Sequence, residues 1–519
     1  MLDKLFGYRV HATIHHICFI ALCIGLPLNK VVMSLATMLC GLNILLEGKF
    51  KTYFQQIKGN KIVLLLLSLF LLHLLGLMYT SNYEYALHDL RVKLPLLVIP
   101  FVFGAKPIER NILNSGLKTF LFVLTVTSII NYLNYSFKSA EGIILDIREM
   151  SLFASHIRYA LLIVFGVGIS LIFTVQRKKY FLIYALLFAW FSWYALYSQV
   201  LSGVIAYAFL VGGLFIHALL HLKIKWMKWT LICVFSLTTF GIAYYVVDYL
   251  SPEVENYIYG ELETHSKKGN KYYHDTTSTQ FENGNPLMIY LAEDEMRKAW
   301  NTRSAIPYDS LDRKQQNVKY TLWRYLTSLN HRKDAEGIMN LSDHDVSLIE
   351  QGIPTSTYES GGLHQRLDGM KVQLGTYLAN GNPNGHSLLQ RFEHWSAAKY
   401  IIVNNPVIGV GTGDVQDEFN KAYIALDSQL EIHHRNRAHN QFLTFWISFG
   451  VIGIALFICL WIVYFKLALQ REMLIPLAFG LVAFASFLPE DTIETQHGVT
   501  FIALFTTVFS SLFYQKAKS

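Results

Sequence analysis

The chain has 519 residues, 53% of them hydrophobic and 16% charged, with a mean hydropathy of +0.32. That is far more apolar than a soluble globular average and excludes water as the sole solvent. The formal charge of +7 raises nucleic acid as a partner. The basic residues, however, fall in short clusters between apolar runs, the pattern of membrane orientation.

A membrane crossing takes roughly 20 apolar residues. Stretches near that length run at 12–28, 31–46, 61–79, 94–105, 117–135, 159–176, 180–197, 200–220, 229–250, 440–465, 472–488 and 498–514. They predict an all-α polytopic membrane protein of about twelve spans, the fourth of them short. The second run follows the first at once, so the first reads as a span rather than a cleavable signal peptide. Cys18, Cys23, Cys40, Cys233 and Cys459 all lie in apolar stretches. They read as small core residues and offer no disulfide framework.

Lysine and arginine in short loops resist translocation. Basic clusters such as Lys49, Lys51, Lys58 and Lys61, then Lys106, Arg110 and Lys118, then Arg177, Lys178 and Lys179, alternate with sparser loops carrying Lys30, Arg91, Lys93, Lys138, Arg148 and Arg158. The asymmetry puts both termini in the cytoplasm. The expected organisation is nine spans in residues 1–250, a mainly helical outer domain at 251–438, periplasmic if the cell is Gram-negative, and three spans in residues 439–519. In the outer segment, Thr264 to Asn285 reads as irregular, while Leu287 to Trp300 and Lys319 to Leu329 have helical spacing. Gly361, Gly362, Gly375, Gly381 and Gly385 then break the chain, and a helix from His386 to Asn404 stops at Asn405-Pro406.

The stretch from Arg391 to Gly453 carries the most chemistry. His439 stands just before an apolar span, where a helix N-terminus and low dielectric favour the neutral imidazole that a general base needs. An interfacial histidine that caps the helix or bonds a headgroup is the alternative. Arg391, Arg435 and Arg437 flank this point. Guanidinium groups suit phosphate or pyrophosphate; contact with anionic lipid headgroups is the alternative, and for Arg435 it is the favoured reading. Arg158 stands at the mouth of a span in Ser155-His156-Ile157-Arg158-Tyr159, where charge is costly unless it has a role or snorkels to the interface.

Other motifs are weaker. Gly409-Val410-Gly411-Thr412-Gly413-Asp414 lacks the preceding strand and the Lys-Ser/Thr of a phosphate loop, so it reads as a tight turn. Asp343-His344-Asp345 reads as a solvated loop, with no further ligand cluster at metal spacing. Glu490, Asp491 and Glu494, beside Gln496, are solvated acidic residues by default, or else one of them orients a histidine or arginine.

Together, the spans, the large loop before the tenth, the Arg391-x-x-x-Trp395 helix, the Asn405-Pro406-x-x-Gly409-x-Gly411 turn and His439-Asn440-x-x-Leu443 resemble the O-antigen ligase and O-antigen polymerase superfamily. Weaker echoes lie in His156-Ile157-Arg158 and in Glu490 to Gly498. The resemblance implies a metal-independent, inverting glycosyl transfer with no cofactor, from a glycan carried on undecaprenyl pyrophosphate in the inner membrane. It implies that His439 activates the acceptor hydroxyl and Arg391 holds the pyrophosphate, with Arg158, Arg437, His156, Glu494 and Gln496 as further substrate-binding residues. A ligase would use lipid A-core as acceptor, and a polymerase would use another lipid-linked glycan. A transporter of lipid-linked glycans is a third reading, disfavoured because no internal symmetry is visible. One departure stands out: many members have a Ser-Arg pair at the start of the eighth span, and here Ser198-Gln199-Val200-Leu201-Ser202-Gly203 has no arginine. Arg158 or Arg437 is then left to supply that charge.

Overall fold

The computed structural model describes residues 8–140, 147–251, 259–278, 280–282, 284–313, 316–356 and 387–515, with a few more between 367 and 384. The glycines read as chain breaks between 361 and 385 lie outside the described residues. In chain order the helices are α1 (Tyr8–Leu28), α2 (Lys30–Glu47), α3 (Phe50–Lys58), α4 (Lys61–Leu75), α5 (Tyr83–Lys93), α6 (Pro95–Ala105), α7 (Arg110–Ala140), α8 (His156–Gln176), α9 (Phe181–Tyr197) and α10 (Leu201–Leu220). After these come α11 (Lys225–Leu250), α12 (Glu293–Arg303), α13 (Val318–Ser328), α14 (Ala335–Met339), α15 (Asp343–Glu350), α16 (Ser387–Asn404), α17 (Val415–Ala425), α18 (Gln441–Gln470), α19 (Leu474–Ser486) and α20 (Gln496–Gln515). Among the described residues the strands are β1 (Phe281–Glu282) and β2 (Asn285–Pro286), which form an antiparallel pair.

This is an all-α polytopic membrane protein. Every apolar run read from the sequence is a helix, and among the described residues ten helices are long and apolar enough to cross a membrane. The other two runs are shorter: α6 has 11 residues, with Pro95 in its first turn and Pro100 inside, and α19 has 13. Asparagine side chains fix several starts. Asn29 accepts from Val31 N at the head of α2, Asn60 from Ile62 N and Val63 N at α4, and Asn440 from Leu443 N at α18. Each satisfies backbone donors that a helix start leaves open.

The chain divides into two compact units, residues Met1–Ile232 with Arg391–Ser519, and residues Cys233–Gln390. In the first, α8 and α20 are the centre, with 78% and 94% of their apolar windows buried, against 22% for α9 and α10. Phe165 of α8 meets Phe479 of α19 and Phe501 and Phe505 of α20 in edge-on contacts at 4.8 to 5.7 Å, a geometry that suits the ring quadrupoles. The outer faces of α9 and α10 show exposed Leu182, Leu186 and Phe215, the surface that acyl chains would cover. Of the cysteines, Cys18, Cys23 and Cys40 are buried as core residues, whereas Cys233 and Cys459 are exposed.

The second unit has its own core of Trp300, Tyr308, Leu322, Leu326, Ile338 and Ile349. Within it α12 begins at Glu293, six residues later than the spacing of Leu287 to Trp300 suggests, after Tyr290 turns in the left-handed region at φ 54°. Asp343-His344-Asp345 is not a loop. It opens α15, where Ser342 and Asp345 form a reciprocal capping box and Arg303 binds Asp343 at 2.8 Å. The acidic residues there satisfy a helix N-terminus.

Candidate active site

The Asn-Pro and glycine-rich segment repairs a broken membrane helix. Inside α18, Gly450 has φ 61° and ψ −155°, a conformation open in practice to glycine alone. The break frees backbone groups, which in an apolar setting must find partners. Val410 N donates to Ile447 O at 2.9 Å, Gly411 N to Ser448 O at 3.0 Å, and Val451 N to Pro406 O at 3.0 Å. Gly409 is in the left-handed region and lies against the same backbone, where a Cβ would collide with Ile447 O. Farther along, Thr412 Oγ1 donates to His73 O at 2.7 Å, and Asp414 accepts from Ser81 N and Asn82 N at 2.7 to 2.9 Å. The turn therefore binds protein backbone, and it sets the first part of α18 on the polar cluster.

That cluster gathers residues from five parts of the chain. Arg391 of α16 reaches Glu490 at 2.9 Å, and Ser202 in the first turn of α10 donates to the same Glu490 oxygen at 3.2 Å. Arg158 of α8 donates through Nε to Thr495 Oγ1 at 3.0 Å, and its Nη2 lies 3.9 Å from Asp491 Oδ1. His439 Nδ1 stands 3.9 Å from that same Asp491 oxygen. His439 is not on the helix. It precedes the cap Asn440 and takes φ 47°, a left-handed turn that swings the ring out of line with α18. Trp395 Nε1 donates to Ala438 O at 3.0 Å, and the His394 ring lies 5.4 Å from the His439 ring, so α16 supports the turn from one side. Burial pushes His394 down to about 4, which keeps it neutral beside His439. Burial pushes Glu490 up, against the pull of Arg158 and Arg391.

A second network stands behind the first. Glu494 binds Lys93 at 2.7 Å and Arg437 at 3.1 Å, and it accepts from Gln441 Nε2 at 3.3 Å. Lys93 also binds Asp89, four residues earlier on α5, at 2.6 Å. Burial alone would raise the Glu494 carboxyl, but Lys93 and Arg437 outweigh it and hold it at about 2. The Arg437 guanidinium lies 4.9 Å over the Tyr85 ring. After these contacts, three buried nitrogens of the cluster have no hydrogen-bond partner among the described residues, Arg158 Nη1, Arg437 Nη2 and His394 Nδ1.

The structure thus brings together His439, Arg391 and Arg158 around Glu490 and Asp491, and it joins Glu494 to Arg437 alongside. His156 is half-buried at the first residue of α8. Gln496 turns elsewhere, its amide donating to Ser34 Oγ of α2 at 2.6 Å. Arg435 donates to Leu430 O at 2.9 Å and lies 5.9 Å over the Tyr423 ring. Sequence reasoning missed Lys93, Asp89, Ser202, His394 and Gln441. Asp89 and Lys93 carried a signal, an acid and a base one helical turn apart between two apolar runs.

Among the described residues, two sets of three or more His, Cys, Asp or Glu side chains have ligand atoms within 4.8 Å of one another: His439, Glu490 and Asp491, and the largely exposed Glu431, His433 and His434. In the first set Glu490 is held by Arg391 and Ser202, and Asp491 faces Arg158. Open guanidinium donors make that centre more suited to an anion than to a cation.

The fold and centre define a multi-pass helical membrane protein with a histidine and arginine site at one end of its spans. Residues 348–458 match the family model described as O-antigen ligase. This match supports the O-antigen ligase superfamily for the chain, and with it a glycosyltransferase-like ligase or polymerase in general. No curated protein matches the chain.

Proposed function

We propose that the chain is an O-antigen ligase, moving a glycan from undecaprenyl pyrophosphate to lipid A-core at the periplasmic face of the bacterial inner membrane. Both termini are then cytoplasmic, and residues 251–438 form a periplasmic domain. The observation that carries the reading is the pair of buried, unpartnered donors, Arg158 Nη1 and Arg437 Nη2, beside the Arg391–Glu490 and His439–Asp491 pairs. Unpaired buried guanidinium nitrogens are costly unless an anion completes them.

In this mechanism the pyrophosphate of the donor lies among Arg391, Arg158 and Arg437. His439, its Nδ1 side facing Asp491, takes the proton of the acceptor hydroxyl on its other nitrogen. The acceptor oxygen forms a bond to the anomeric carbon from the face opposite the pyrophosphate. The carbon–oxygen bond to the pyrophosphate breaks, its electron pair stays on the leaving oxygen, and the configuration inverts. Negative charge grows on the pyrophosphate as it leaves, so the arginines act most strongly at the transition state. No step calls for a metal.

The test is a lipopolysaccharide gel of a strain lacking the chain, restored with wild type or with His439→Ala. Bare lipid A-core with accumulated lipid-linked polymer in the null and His439→Ala strains is the expected result. Core capped with a single repeat unit would instead mean a polymerase, which differs in its acceptor. An unchanged ladder would overturn both.

A further inference from the structure

We propose that the exposed face of α16 is the track by which the isoprenoid tail of the donor passes from the arginine site to the bilayer. The proposal rests on the lipid-pyrophosphate reading above. It starts from the burial pattern of α16. His394, Ala397, Ala398 and Ile401 face inward, packing with Val415, Phe419 and Tyr423 of α17 and with Ile447 of α18. On the other side Phe392, Trp395, Tyr400 and Val403 are exposed, with the exposed Ser396 and Lys399 between them, and Val407 and Ile408 continue the row past the helix end. Exposures of 44% at Phe392, beside Arg391, and 68% at Val403, toward the far end of the row, are high for apolar side chains. Such a row needs an apolar occupant.

Both ends of the row are fixed. It begins at Phe392, the neighbour of Arg391, whose guanidinium is on Glu490. It ends where Pro406 O accepts from Val451 N, and Val451 and Ile452 are exposed on the membrane-crossing part of α18. Counting back from Gln470, Gly450 stands about 30 Å along the helix, one hydrocarbon thickness, which puts the break at the membrane surface. Arg158 and Ser202, in the first turns of α8 and α10, and Glu490, just past α19, lie at that same surface. The two ends of α16 are therefore at one level, and the helix lies along the interface. From Phe392 to Val403 the row covers about 16 Å.

The composition suits such a position. Trp395 and Tyr400 are residues of the membrane interface, and Lys399 on the same face has the length to carry its charge to water. A tail anchored at its pyrophosphate by Arg391 would meet aromatic and branched surfaces at once and be handed on to the lipid-facing flank of α18. A long isoprenoid chain gains from the whole row, whereas a very short one, ending near Phe392, gains almost nothing beyond the charge contacts.

The experiment measures binding of undecaprenyl diphosphate and of geranyl diphosphate to the purified full-length chain in detergent. It uses wild type, the triple variant Phe392→Gln/Val403→Gln/Val407→Gln, and the apolar control Val403→Leu/Val407→Leu. All three positions are exposed, so the fold does not depend on them. The triple variant is expected to bind undecaprenyl diphosphate about tenfold more weakly, a change of ~1.4 kcal/mol, with geranyl diphosphate unaffected and the leucine control like wild type. Equal weakening of both ligands, or of neither, would overturn the track and leave the row to bulk lipid. If wild type bound neither diphosphate, the lipid-pyrophosphate reading itself would fail, and the track with it.

Discussion

Asp491 Oδ1 lies 3.9 Å from His439 Nδ1. The same oxygen is 3.9 Å from Arg158 Nη2, so one carboxylate links the candidate base to a candidate pyrophosphate ligand. Its orientation fixes which ring nitrogen of His439 is free for the acceptor. Asp491→Asn should therefore lower transfer by about tenfold, less than loss of the base itself, which is worth ~10²–10⁴ in rate. Rates of glycan transfer by purified variants of unchanged thermal stability check this; an Asp491→Asn enzyme as fast as wild type would show that the carboxylate does not orient the ring.

Glu494 is held at about 2 in the folded chain by Lys93 and Arg437. Its unfolded value lies near the ordinary ~4.3 of a glutamate. Because the folded value is depressed, its contribution to stability is fully present above the unfolded value and fades as pH falls toward about 2. Glu494→Gln leaves Lys93 and Arg437 buried with one fewer counter-charge. Such a change should cost ~3–5 kcal/mol at pH 7. Melting temperatures of wild type and variant should differ widely at pH 7, and the gap should narrow below the unfolded value and close only as the pH falls to about 2. A constant gap would contradict the ionic role.

Gly450 takes φ 61° with ψ −155°, and a Cβ there would strike Val407 O. Gly450→Ala should lower stability by about 1–3 kcal/mol from backbone strain alone. Because Val410 and Gly411 pair with the carbonyls just before this break, the loss should extend to transfer. Thermal unfolding and a transfer assay on the same preparation test it, and an alanine variant as stable as wild type would contradict the account of the turn.

Chelators should leave transfer unchanged. Glu490 is occupied by Arg391 and Ser202, and Asp491 faces Arg158, so the carboxylates near His439 are engaged by cationic and hydroxyl donors. Rates measured before and after dialysis against a strong chelator check this, and loss of activity restored by one divalent metal would revive the His439, Glu490 and Asp491 cluster as a metal centre.

Much of the fold was legible because a lipid solvent imposes a blunt code, and the helices fall where the apolar runs do. The short α6 and α19 also showed as apolar runs, since hydropathy reports what is buried in protein as readily as what crosses a bilayer. The site was legible where residue type and position agreed, as with Arg158 at a span mouth and His439 before a span. It was not legible where contacts are long-range. Lys93 looked like an ordinary loop charge, because nothing local announces that Glu494, some 400 residues later, lies 2.7 Å away. Glu490 and Asp491 read as solvated for the same reason. The glycine-rich stretch read as a tight turn, and its Val410 and Gly411 amides bind protein backbone. Its actual partner, a break in α18, depends on a single backbone conformation at Gly450 that hydropathy cannot register.

The most direct measurement is a reconstituted transfer assay. Purified chain would be supplied with undecaprenyl pyrophosphate-linked glycan and lipid A-core, in wild-type, His439→Ala and Arg158→Ala forms. Wild type should move the glycan to lipid A-core with inversion at the anomeric carbon. His439→Ala should be slower by ~10²-fold or more and Arg158→Ala should bind the donor more weakly. Transfer by His439→Ala at the wild-type rate would contradict the central claim.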